Sequence, residues 1–82
     1  MKYYKIICWS ACPFCLRAKT LLIKNDLQFE YCSVDNSNEL LDHYKAIYNH
    51  ETVPMVILID TESKDEQFIG GYIELKEFLD GT

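Results

Sequence analysis

The sequence predicts an α/β fold, a four-stranded mixed sheet with helices on both faces, in the order β-α-β-α-β-β-α. Three observations carry that expectation. Short runs rich in Ile, Val, Tyr and Phe alternate with stretches of helical periodicity. A helical stretch separates the first two strands, which is the connection that parallel pairing needs. A short polar loop separates the last two, as in a hairpin.

Each element has its own justification. Residues 3–9, Tyr-Tyr-Lys-Ile-Ile-Cys-Trp, form a predicted strand whose two faces are both largely apolar, as in a strand covered on both sides. Tyr4, Ile6 and Cys8 share one face, and Tyr3, Lys5, Ile7 and Trp9 the other. Residues 13–24 form a helix that opens on Pro13, where the missing N–H costs nothing. Phe14, Ala18, Leu21 and Leu22 mark its expected inward face. Asn25 and Asp26 end it. A second strand covers residues 27–34, and Asp35, Asn36 and Ser37 then offer turn and N-cap chemistry. Leu40, Leu41, Tyr44, Ile47 and Tyr48 give the next helix its stripe. Residues 53–59 are nearly all apolar, as in a central strand. A charged loop over 60–66 leads to a short strand at 67–69, broken by Gly70-Gly71. The last helix spans 72–79, with Leu75, Phe78 and Leu79 inward.

The 82 residues make one expected domain, 1–82. A hydrophobic content of 49% argues for a real core and against disorder. Eight basic residues are scattered singly among thirteen acidic ones, with no basic stripe, so no nucleic-acid partner is expected. No run approaches the ~20 apolar residues of a membrane span, and the N-terminal stretch is too interrupted for a signal peptide. A cytoplasmic protein without a membrane partner is the expectation. In that compartment four cysteines point to catalysis or metal binding more than to structural disulfides.

Cys12-Pro13-Phe14-Cys15 falls where the first strand meets the first helix. Cysteines three apart at a helix start lie about one turn apart on one side. Their Cα atoms then meet the ~5–6 Å separation that a disulfide requires. The first cysteine stands at or just before the first helical residue, where unpaired N–H groups and the positive helix end favour a thiolate. The second lies inside the first turn and is expected to be more buried. Cys12 is therefore the expected nucleophile and Cys15 the resolving thiol. The motif by itself also fits half of a metal site.

The chain here resembles a known family. Cys-Pro-Phe-Cys followed by Leu-Arg-Ala-Lys is similar to the glutaredoxin active site, whose usual form is Cys-Pro-Tyr-Cys. Thr52-Val53-Pro54 resembles that family's Thr-Val-Pro, with its cis-proline facing the redox pair. Gly70-Gly71 resembles its diglycine before the last helix. The three motifs occur in the family's order and cover essentially the whole chain.

The resemblance implies a single glutaredoxin-like domain with a thioredoxin fold. It also implies glutathione-dependent reduction of protein disulfides and glutathione mixed disulfides by Cys12 and Cys15. Thr52, Val53, Pro54, Gly71, Tyr72 and Glu74 become the expected glutathione contacts. Val53 would pair its backbone with the cysteinyl part as an added strand does. The N–H groups at Gly71 and Tyr72 would hold the γ-glutamyl carboxylate. Trp9, Pro13, Phe14 and Arg17 are the expected neighbours of the redox pair. No metal and a monomer are expected, with disulfide-containing proteins, ribonucleotide reductase among them, as partners.

Two positions depart from the family pattern. Trp9 replaces a common Lys, and Glu51 a common basic residue; those cations help hold the glycine carboxylate of glutathione. Lys19 and His50 are candidate replacements. The departures keep open a redoxin reduced by a thioredoxin-reductase-type flavoprotein and serving ribonucleotide reductase. A non-enzymatic [2Fe–2S] cluster carrier is the other alternative. Cys8 and Cys32 read as small core hydrophobes, and His43 as solvated.

Overall fold

In a computed structural model the predicted order is observed. Lys2–Cys8 (β1), Pro13–Lys24 (α1), Phe29–Ser33 (β2), Asn38–Tyr48 (α2), Met55–Asp60 (β3), Glu66–Gly70 (β4) and Tyr72–Asp80 (α3) follow one another. The structure describes residues 1–9, 12–35, 38–50 and 53–81. Asn36 and Ser37, proposed to cap α2, lie outside the described residues, as do Glu51 and Thr52.

The strands lie side by side in the order β2-β1-β3-β4. β1 runs parallel to β2, with Ile6 opposite Tyr31, and antiparallel to β3, with Ile6 opposite Val56. β3 and β4 form the expected hairpin, with an irregularity between Val56 and Ile57. The sheet therefore has two protected central strands and two edges.

Alternation along β1 divides the core between the faces. Tyr4, Ile6 and Cys8 pack with Cys15, Ala18 and Leu22 of α1, Val56 of β3 and Leu75 of α3. Ile7 packs on the opposite side with Val34, Leu41 of α2, Met55 and Ile57. Two helices cover one face and one covers the other. Ile6, Ile7, Leu22, Met55, Ile57 and Leu75 are all under 2% exposed. Burying each stabilises the fold by about 1.5–3 kcal/mol before entropy is counted.

Several sequence expectations need correction. Phe14 is not on the inward face of α1; it is 49% exposed, and Cys15 takes the inward place beside Ala18 and Leu22. Leu40 and Ile47 of α2 are also exposed, leaving Leu41, Tyr44 and Tyr48 to face the sheet. A single helix lying on a sheet buries only a narrow stripe, so the outer members of a broad apolar face stay wet. β3 begins at Met55 rather than Val53, because Pro54 has no N–H to enter the ladder. β2 is shorter than predicted, although Val34 N–H still reaches the Cys8 carbonyl at 2.9 Å. Trp9 lies just past β1 and is 44% exposed.

Candidate functional site

The site is assembled where β1 hands over to α1, where β3 begins and where α3 starts. Cys12 is the N-cap of α1, in extended conformation, and Pro13 follows it inside the first turn. The Cys15 N–H donates to Cys12 Sγ at 3.4 Å. One of the helix's orphan donors thus points at the sulfur, as the placement of the motif predicted. Cys12 is half-buried and Cys15 is fully buried. Both are free thiols in this structure.

Beneath the pair lies a third sulfur. Cys8 comes up from β1, has no exposed surface, and directs its S–H towards the carbonyls of Cys32 at 3.5 Å and Ile6 at 3.8 Å. Contact with the Cys8 sulfur, burial and the neighbouring Cys12 together push the Cys15 thiol well above its ordinary pKa. That direction keeps Cys15 as the protonated thiol at neutral pH. The core reading of Cys8 is correct; Cys32 is only half-buried.

A groove of about 400 Å³ opens beside Phe14. Val53, Pro54, Gly71, Tyr72 and Glu74, all singled out from the sequence, line it together with Phe14, His50 and Ile73. The Val53–Pro54 peptide is cis. Among the described residues no turn, loop or cap hydrogen bond uses the Val53 N–H or C=O. Cys12, Val53 and Tyr72 pack against the same buried cluster, which joins the cysteine pair to the groove.

The diglycine shapes the far wall. Gly70 has φ +125°, a conformation that side chains rarely adopt, and a Cβ there would meet Glu74 Cβ at 2.8 Å. Gly71 is the N-cap of α3 and offers no side-chain cap. A Cβ on Gly71 would stand 3.6 Å from the Pro54 carbonyl oxygen. The first-turn N–H groups of α3 therefore face the groove beside the start of β3, an arrangement that suits an anion. Glu74 stands in that first turn, with its side chain folded back over the glycines.

The remaining candidates separate. Phe14 meets the Tyr72 ring at 6.2 Å between centroids, and the Arg17 guanidinium lies 5.1 Å over the Phe14 ring. Arg17 is thus next to the site but faces a second groove between α1 and α3. Lys19 is not brought to the first groove; its Nζ lies 5.2 Å over the Tyr31 ring. His50 is brought there, edge-on to Phe68 at 5.3 Å. Ile73, 62% exposed, was missed, because no local pattern distinguishes an exposed second helical residue from one that lines a groove. Thr52, the remaining expected contact, lies outside the described residues.

A helix capped by one cysteine and buried on a second, set on a β2-β1-β3-β4 sheet, defines a thioredoxin-fold dithiol protein. Solved glutaredoxins share that fold. The glutaredoxin 1 of Francisella tularensis, solved with cacodylate, superposes with a TM-score of 0.77 at 24% identity, covering 99% of this chain and 95% of its own. A dithiolic glutaredoxin of Trypanosoma brucei brucei is 28% identical with a TM-score of 0.76, over 98% of this chain and 79% of that one. A buckwheat glutaredoxin–glutathione complex matches at 0.74 and 19% identity, over 98% and 71%. In sequence, a probable glutaredoxin of Synechocystis is 38% identical over 80 residues, 95% of this chain and 82% of the relative. The chain belongs to the glutaredoxin family, whose family model matches residues 1–63. That membership carries thiol–disulfide oxidoreductase chemistry.

Proposed function

We propose that this protein is a glutathione-dependent reductase of protein disulfides and glutathione mixed disulfides, with Cys12 as nucleophile and Cys15 as resolving thiol. The observation that carries the reading is the groove beside the redox pair. It combines a backbone edge at Val53, an uncapped helix start at Gly71–Tyr72 and an acid at Glu74. Those three features match the amide, carboxylate and ammonium of a γ-glutamyl-cysteinyl ligand. His50 lines the same groove, which supports it as the group that meets the second carboxylate where Trp9 and Glu51 replace the family's common cations.

The chemistry is two exchanges. Cys12 thiolate attacks the glutathione sulfur of a mixed disulfide, forms a Cys12–glutathione disulfide and releases the protein thiolate, which takes up a proton. A second glutathione thiolate then attacks the glutathione sulfur on Cys12, leaving oxidised glutathione and Cys12 thiolate. For a protein disulfide, Cys12 forms a mixed disulfide with the substrate. Cys15 loses its proton and attacks the Cys12 sulfur, releasing the reduced substrate and closing Cys12–Cys15. Two glutathiones then reduce that disulfide and leave as oxidised glutathione.

The test is turnover of a small glutathione mixed disulfide with glutathione and glutathione reductase, beside a run with thioredoxin reductase. Wild type and Cys15→Ser are expected to turn over with glutathione, and Cys12→Ser to be inactive. Turnover by Cys12→Ser would overturn the nucleophile. Activity with thioredoxin reductase alone would overturn glutathione as the donor.

A further inference from the structure

We propose that the groove between α1 and α3 is the docking site for the protein half of the substrate, and that it selects polypeptide segments carrying Asp or Glu near the reactive cysteine. Leu16, Arg17, Thr20, Leu21 and Lys24 of α1 line it, opposite Tyr72 and Lys76 of α3, around a volume of about 440 Å³. That volume lies within the ~300–1,000 Å³ range of ligand-binding clefts. The proposal rests on the reading of the first groove as the glutathione site.

Charge singles the groove out. The chain carries thirteen acidic and eight basic residues. Arg17, Lys24 and Lys76 nevertheless meet in one groove whose lining holds no acid. None of the three has a carboxylate partner among the described residues, where the ion pair found joins the N-terminus to Glu62. A local positive field on an otherwise acidic surface attracts acidic segments and repels basic ones. The floor is apolar: Leu16 is 59% exposed there, and Leu21 and Tyr72 border it. Thr20 Oγ is spent on the Leu16 carbonyl at 2.9 Å, so the floor offers contact area rather than a free hydroxyl.

Position supplies the second argument. Tyr72 lines both grooves, and its ring meets Phe14, so the two rings form the ridge between them. A mixed disulfide has two halves. With glutathione in the first groove, the polypeptide half must leave Cys12 by another route, and the basic groove lies directly across the ridge. Arg17, stacked on Phe14, places the first positive charge at the crossing, and Lys24 lies two helical turns further along α1.

The experiment compares two glutathionylated cysteine peptides, one flanked by Asp and Glu and one by Lys, on wild type and on Lys24→Glu/Lys76→Glu. Wild type is expected to show a lower KM for the acidic peptide, by about 10-fold at low salt, with similar kcat, from several exposed charge pairs acting together. The double variant should reverse that order while leaving turnover of a small glutathione mixed disulfide unchanged. Raising the salt towards 1 M, where the Debye length is ~3 Å, should bring the two peptides together. Equal KM values on wild type, or an unchanged preference in the double variant, would overturn the proposal. A Cys→Ser version of the acidic peptide separates this proposal from the glutathione reading. If it shifts the amide resonances of Leu16, Thr20 and Lys76 in a chain inactive with glutathione, only the glutathione reading fails. If those resonances stay still while glutathione turnover is normal, only the docking groove fails.

Discussion

Replacing Gly70 by alanine tests how the diglycine holds the site. An alanine there must keep φ +125° and places its Cβ 2.8 Å from both Cβ and Cγ of Glu74. The Cγ moves away on a side-chain rotation. The Cβ does not, because it is fixed to the first turn of α3, which buries Leu75. A side chain in such a backbone region costs about 1–3 kcal/mol. Forcing the helix start aside adds about 1–3 kcal/mol of overpacking. The sum is about 2–5 kcal/mol after partial relaxation. At ~2.1 cal/mol/K per residue, a domain of this size loses roughly 6 °C per kcal/mol, so Tm falls by about 12–30 °C. Far-UV circular dichroism melts of Gly70→Ala and Gly71→Ala give the contrast. The Gly71 Cβ would meet the Pro54 oxygen at 3.6 Å and both Glu74 carboxylate oxygens at 3.9 Å, all ordinary contacts, so that variant should melt within about 4 °C of the parent. A Gly70→Ala protein that melts as high as Gly71→Ala would refute the reasoning.

Three further outcomes are expected. Leu75→Ala empties a fully buried position between α3 and the sheet and should cost about 2–5 kcal/mol, read from urea midpoints at unchanged m-value. Glu74→Gln should raise KM for glutathione by about 10-fold through loss of a charge-assisted hydrogen bond, with melting temperature nearly unchanged; an unaltered KM would make Glu74 a helix-terminus acid only. Alkali should weaken the fold. The Cys15 thiol is held well above its ordinary pKa, so the unfolded chain loses that proton first. The stability this gives is fully present below the ordinary thiol value of ~8.5 and drains away as pH climbs from there towards the folded value, less an opposing gain from Cys8, whose thiol the same contact holds below its ordinary value. Tyr4, Tyr31 and Tyr48, also raised, add to the loss at higher pH. Flat urea midpoints from pH 8 to 10 would contradict this.

The legible part of the site was the part written in contiguous residues. Cys12-Pro13-Phe14-Cys15 specifies its own geometry, since a proline inside a first helical turn leaves the preceding cysteine at the cap. Val53-Pro54 and Gly70-Gly71 likewise act through backbone properties that no neighbour supplies: a missing N–H, and freedom at positive φ. The alternation along β1 announced both covered faces, and the structure puts Cys8 and Ile7 on opposite sides as that alternation requires.

Tertiary structure decided what depends on which element lies next to which. Phe14 satisfied a helical period, yet α1 turns Cys15 inward and leaves the ring to face Tyr72 from a helix far along the chain. Ile73 and His50 reach the first groove only because α3 starts beside Pro54. Lys24 and Lys76 are isolated charges in the sequence and become one positive groove only when α1 and α3 pack together. Local residues determine the backbone's conformation and the period of its apolar faces. Which of two apolar positions is buried, and which distant charges share a surface, depends on the packing of helices across the sheet, to which each segment contributes only half.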